Sequence, residues 1–144
     1  MARFNMELPT EVIKEFEKLT KDSDKIFGEM TQAGAEVVEK NIIANAPKGI
    51  RNSKMMDCLK TSKVYKTPSD DGINTKVAFY GKFIDSDGRE KIAPLVGNVF
   101  EYGRSDSSPP FKKHPFLRKS FRKSDIEQAM LKKQKEASGG ILDE

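Results

Sequence analysis

"GNVFEYGRSDSSPPFKKHPFLRKSF", residues 97–121, holds two apolar clusters around a polar, proline-rich interruption. Leu95, Val96, Val99, Phe100 and Tyr102 share one helical face, with Pro94 in the first turn and Gly103 as the stop. This predicts a short helix over about 94–102. Residues 103–115 read as an extended loop, because Pro109, Pro110 and Pro115 lack amide donors and turn the residues before them away from helix. The helical spacing resumes at Phe116 and continues through Leu117, Phe121, Ile126, Met130 and Leu131, giving a last helix over about 116–136. Both clusters are expected to dock on a sheet, with Phe121 on the buried face. That leaves residues 104–114 as an extension the fold does not need, so deleting 105–112 is expected to spare folding and spoil assembly.

The sheet comes from the stretch upstream. "TSKVYKT" (61–67) is strand-like, and "INTKVAFYGKFI" (73–84) alternates Ile73, Thr75, Val77 and Phe79 against Asn74, Lys76, Ala78 and Tyr80. Ser69–Gly72 and Asp85–Gly88 are Asp-Gly turns that suit hairpins. Strands over about 61–93 therefore form a small antiparallel sheet of about three or more strands. Further upstream, residues 10–46 read as helix in two pieces. Val12, Ile13, Phe16 and Leu19 mark the first; "TKDSD" (20–24) offers caps for the second, which carries Ile26, Phe27, Met30, Gly34, Val37, Val38 and Asn41. Gly34 within that stripe signals close packing, and Pro47 ends the helix. Lys48–Asn52 reads as a polar loop, and Ser53 as a cap for a short turn with Met55, Met56 and Leu59. The expected architecture is one α+β domain over 1–137, long N-terminal and C-terminal helices packed on an antiparallel sheet, with 138–144 as a flexible tail.

The chain has 144 residues, of which 36% are hydrophobic and 33% charged, so a core is possible but thin. Net charge is +4, unevenly placed. Residues 1–46 hold 6 Lys/Arg against 9 Asp/Glu, while 104–135 hold 10 against 3. Such asymmetry serves head-to-tail association or contact with a polyanion. The N-terminus lacks the apolar run of a signal peptide, and no stretch is long and apolar enough to span a membrane, so no membrane partner is expected.

Catalytic signatures are sparse. His114 has no nucleophile or orienting carboxylate beside it in sequence and reads as a packed or exposed loop residue. Cys58, the single cysteine, sits beside Met56 and Leu59 and reads as a small hydrophobe. "DSDGRE" (85–90) lacks the ligand spacing of a calcium loop. No dinucleotide, P-loop or serine-hydrolase motif is present, so no cofactor, no metal and no enzymatic role are expected. Lys112, Lys113, Arg118, Lys119, Arg122 and Lys123 form a basic segment; as i, i+4 pairs, Arg118/Arg122 and Lys119/Lys123 fall on two adjacent stripes of a helix. Lys119, Arg122 and Lys123 are candidate contacts for DNA phosphates or for the acidic N-terminal helices of a neighbouring copy, the second slightly preferred.

Three stretches together resemble a known family. "NAPKGIRNSKMMDCLKTS" gives Ala-Pro (Pro47), a basic-polar loop, then Leu59 and a Ser before the first strand. "KVAFYGK" gives a valine-bearing strand closing on Gly. Phe100-Glu101-Tyr102-Gly103, a variable loop, then Pro115-Phe116-Leu117-Arg118 complete the pattern. This resembles the minor structural proteins of long-tailed bacteriophages and prophages, the neck, head–tail joining or tail-completion proteins, over roughly residues 25–135. Asn52-Ser53 stands where the family usually has Thr-Gly. The resemblance implies a non-enzymatic subunit of a ring, commonly a hexamer, present in the host cytoplasm during assembly and then in the virion. Its partners would be further copies of itself, connector and tail proteins, and DNA passing through its channel without sequence-specific recognition. The proposed assembly contacts are Arg104, Asp106, Phe111, Lys112, Lys113 and His114. A tail-terminator role and a DNA-binding module are the alternatives.

Overall fold

The computed structural model describes residues 9–137; the tail expected over 138–144 lies outside them. Helix α1 (Thr10–Asn45) runs for 36 residues, about 54 Å at the usual rise. The break expected at "TKDSD" does not form. Thr20 donates its hydroxyl to the Phe16 carbonyl and Ser23 to the Thr20 carbonyl. Those side chains bond backward within the helix, so neither caps a new one. Ala46 is extended ahead of Pro47, and the helix stops there. Residues expected as a polar loop instead make the single turn α2 (Lys48–Arg51), which buries Ile50. The Ser53 hydroxyl then accepts the Met55 amide and opens a 3-10 turn, Lys54–Cys58.

The strands are short: β1 (Leu59–Thr61), β2 (Tyr65–Lys66), β3 (Ile73–Asn74), β4 (Val77–Phe79), β5 (Lys82–Ile84) and β6 (Glu90–Ile92). They form three two-stranded antiparallel ladders, β1–β4, β2–β3 and β5–β6, where one sheet was expected. The run 73–84 is interrupted at Thr75–Lys76 and again at Gly81, whose φ of +79° turns the chain between β4 and β5. Each turn read from the sequence closes a ladder. Asp71 (φ 52°) stands between β2 and β3, and Gly88 (φ 76°) between β5 and β6. The alternation survives the interruptions, for Phe79 is buried and paired with Leu59 while Lys76 and Tyr80 are exposed.

The core joins one face of α1 (Val38, Ile42) to Ile50, Met55, Leu59, Phe79, Phe83, Ala93 and Phe116. Helix α3 (Ala93–Tyr102) has Pro94 in its first turn and ends at Gly103 (φ 78°). The last helix is two helices, α4 (Leu117–Ser120) and α5 (Lys123–Ala137). Ser120 is fully buried, donates its hydroxyl to the Phe116 carbonyl at 2.6 Å, and accepts from Asn45 at 3.2 Å. With α4 pinned there, α5 starts afresh along α1. A side-chain carbon on Gly34 would sit 3.1 Å from Ile126 Cγ2 and 3.3 Å from Met130 Cγ, so this glycine is a point of close helix approach. Two expectations fall with the break: Phe121 is 62% exposed, and Arg118/Arg122 and Lys119/Lys123 do not share continuous helical stripes. The α+β class stands.

Candidate functional site

The two halves of the Glu-aromatic-Gly and Pro-Phe-Leu-Arg pattern meet through one side chain. Glu101, at the end of α3, is 1% exposed. Its carboxylate accepts the backbone amides of Phe116 (2.9 Å), Leu117 (2.9 Å) and Arg118 (3.2 Å), and the Arg118 guanidinium Nε at 3.1 Å. A helix leaves its first amides without intrahelical partners. Pro115-Phe116 supplies no capping side chain for α4, and Glu101 does so from a distance in sequence. Burial pushes the Glu101 carboxyl upward; the donors from Leu117, Arg118 and Phe116 outweigh it and hold the group below the usual carboxylate range. Tyr102, 66% exposed, lies under the Arg118 guanidinium, 5.4 Å from ring centroid to charge.

The clamp brackets the 104–114 loop, which is closed once more at its base. Arg104 and Phe111 exchange backbone hydrogen bonds of 2.9 and 2.8 Å, and Arg104 pairs with Asp106 at 2.7 Å. Phe111 packs edge-on against Phe100 at 5.1 Å and against His114 at 5.9 Å. The His114 amide donates to the Phe100 carbonyl at 2.6 Å. His114 is thus held among rings. Lys112 and Lys113 are exposed beyond them.

The basic segment flanks this clamp in sequence. Arg118 is committed to Glu101, and Lys123 lies 3.6 Å from Glu127. Lys112, Lys113, Lys119 and Arg122 are exposed and have no ion-pair partner among the described residues. Of the remaining motif residues, Pro47 precedes α2, and Leu59 is buried in the core at the start of β1. Cys58 is buried beside Lys82, 3.7 Å from its carbonyl. Asp85 spends its carboxylate inside its own turn, accepting the Asp87 and Arg89 amides and pairing with Lys91 at 2.7 Å. Among the described residues no group of three or more His, Cys, Asp or Glu is placed to hold a metal ion, and no helix is long and apolar enough to cross a membrane.

Residues 10–83 match the family described as "Bacteriophage HK97-gp10, putative tail-component". The chain belongs to this HK97-gp10-like family. The family match runs from α1 to β5 and supports a phage structural component found in the virion, in contact with other phage structural proteins. The Glu101 clamp lies outside the matched residues. No curated protein and no solved structure matches the chain.

One feature of this HK97-gp10-like chain escaped the sequence reading. The first turns of α1 leave Ile13 and Phe16 (60% exposed) in solvent, with Phe27 further along. Ile84, Ile92 and Leu95 are exposed around the β5–β6 hairpin and the start of α3. The i, i+3 spacing of Ile13 and Phe16 marked an apolar face but could not say whether this chain or another one covers it.

Proposed function

We propose that this HK97-gp10-like chain is the subunit of a ring, a hexamer, at the head–tail junction. It would join the capsid connector to the tail, leave a channel for DNA, and act by assembly and not by catalysis. The observation that carries the proposal is the uncovered start of α1. Most helical stability in proteins comes from packing an amphipathic face against a partner, and the first turns of α1 present Ile13 and Phe16 to solvent. Covering that face against a further copy supplies the missing packing. A head-to-tail contact closes into a ring when its rotation permits, and the loop with Arg104, Asp106, Phe111, Lys112, Lys113 and His114 is the second proposed contact surface. Its closed base keeps the exposed tip in one place, which favours a directional interface.

Native mass spectrometry and negative-stain microscopy of the purified chain, alone and with tail-tube protein, test the proposal. A closed ring of six subunits is expected; a monomer under both conditions would sink it. Disruption of the gene separates the two placements. Separate heads and tails are expected for a neck subunit, and tails of wrong length for a tail terminator. Normal virions would rule out both.

A further inference from the structure

We infer that the start of α1 docks head to tail on the next copy, in a groove between residues 48–55 and the turn of the β5–β6 hairpin. The inference rests on the reading that a further copy covers Ile13 and Phe16, and it names the surface that does so. No side chain of α1 before Gly28 is buried. Ile13, Phe16 and Phe27 are exposed and fall on one stripe of the helix at its usual period. Glu17, Lys21 and Asp24 line the same shallow surface as Ile13 and Phe16. Asp24 is paired with Lys66, whereas Glu17 and Lys21 have no ion-pair partner among the described residues.

The groove has a volume of about 700 Å³, and Phe83, Val96, Phe100 and the exposed Ile84 give it an apolar lining. One wall comes close to that lining at Gly49, where an added side-chain carbon would lie 3.1 Å from Phe100 Cζ. Its charged lining is Lys48, Lys54, Asp85, Asp87 and Lys91. Lys91 and Asp85 pair at 2.7 Å, which leaves Lys48, Lys54 and Asp87 without an ion-pair partner among the described residues. An amphipathic helix is held in such a groove by its apolar stripe. Here the charges at the stripe's edge match as well: Glu17 suits Lys48 or Lys54, and Lys21 suits Asp87.

Position decides that the helix belongs to another copy. Lys48 opens α2 just after α1 ends at Asn45, so the groove stands at the C-terminal end of α1. Phe16 lies more than about 40 Å away along the same continuous helix, and the two surfaces cannot meet within one chain. A contact between opposite ends of the molecule joins each copy to the next in one sense, which is the heterologous interface that a ring requires.

Thiol cross-linking between two differently tagged chains tests the contact, alone and with tail-tube protein. Both chains carry Cys58→Ala; one adds Phe16→Cys and the other Ile84→Cys, each at an exposed position. A short bis-maleimide should give the mixed dimer as the main product, with neither chain cross-linking to itself. Lys48→Glu with Lys54→Glu should raise the concentration needed for association in light scattering about tenfold. Adding Glu17→Lys to that chain should restore association, which a local loss of fold would not allow. Phe16→Ala should weaken association about tenfold or more. Self-cross-linking of the Phe16→Cys chain overturns the inference, by giving two α1 starts to each other. A mixed product with Ser105→Cys in place of Ile84→Cys overturns it too, by making the 104–114 loop the acceptor. So does association unmoved by the glutamate pair, or an oligomer that yields no mixed product. In each of these the oligomer persists and the ring reading survives; a chain that stays monomeric under both conditions removes the two together.

Discussion

At the residue scale, Glu101 is where a small chemical change has the largest structural effect. Four donors converge on one buried carboxylate, and removing it strands the buried Phe116 amide among apolar neighbours. Glu101→Ala should cost about 1–3 kcal/mol, read as a fall of roughly 3–10 °C in Tm. Glu101→Gln keeps the shape, but it offers one acceptor oxygen and sets an amide group against donors, so it should also destabilise. The pH dependence follows from the lowered carboxyl. A group held below its unfolded value of about 4.3 contributes its full stability above that value and loses it as pH falls through the folded one. Wild-type Tm should therefore drop more steeply than that of Glu101→Gln as pH is lowered from about 5. Parallel curves would mean that the carboxylate charge is not what holds the clamp. Gly103 is the companion position: at φ 78° and ψ 179°, an added side-chain carbon would sit 2.9 Å from the Lys113 amide and the Phe111 carbonyl oxygen. Gly103→Ala should cost roughly 1–3 kcal/mol, seen in urea unfolding. The sequence showed these motif residues as two separated words. The clue to their union was physical, a helix starting at Leu117 with no capping side chain beside it.

At the element scale, structure was legible in the sequence where a local signal had no rival. Pro47, Pro94 and Gly103 end or open helices where their backbone chemistry requires it, and the Asp-Gly turns lie between paired strands. Structure was not legible where a hydroxyl had two uses. Ser23 looked like a cap and bonds backward instead, as Thr20 does; Ser120 falls inside the expected last helix and sits at a break, buried against α1. Which use wins depends on tertiary neighbours that no window of sequence contains. The approach of α5 to α1 at Gly34 gives a direct test. Gly34→Val should destabilise by about 1–3 kcal/mol through overpacking against Ile126 and Met130, measured by chemical denaturation. The loop gives another. Deletion of 105–112 would remove Phe111, whose ring packs on Phe100 and His114, so the structure narrows the dispensable stretch. Replacing 105–110 with two glycines should leave Tm nearly unchanged, whereas deletion through Lys112 should lower it. Equal effects would show that the Phe111 contacts add nothing.

At the scale of the whole molecule, exposed apolar side chains stand at the start of α1 and around the β5–β6 hairpin. The class of the fold was readable because periodicity reports which residues need burial. What buries them was not, because the partner can be another chain. Ile13→Asp with Phe16→Asp should leave the monomer's Tm within about 0.5 kcal/mol equivalent while abolishing the oligomer in light scattering. An unchanged oligomer would remove the start of α1 from the proposed interface. Cys58 has a practical consequence here. The only thiol in the chain is buried, so the folded protein should react slowly with maleimide dyes. Ser105→Cys, on the exposed loop, would then be a uniquely addressable position. A fluorophore placed there makes the loop tip a reporter, with its emission and rotational freedom following each encounter between the subunit and its neighbours in real time.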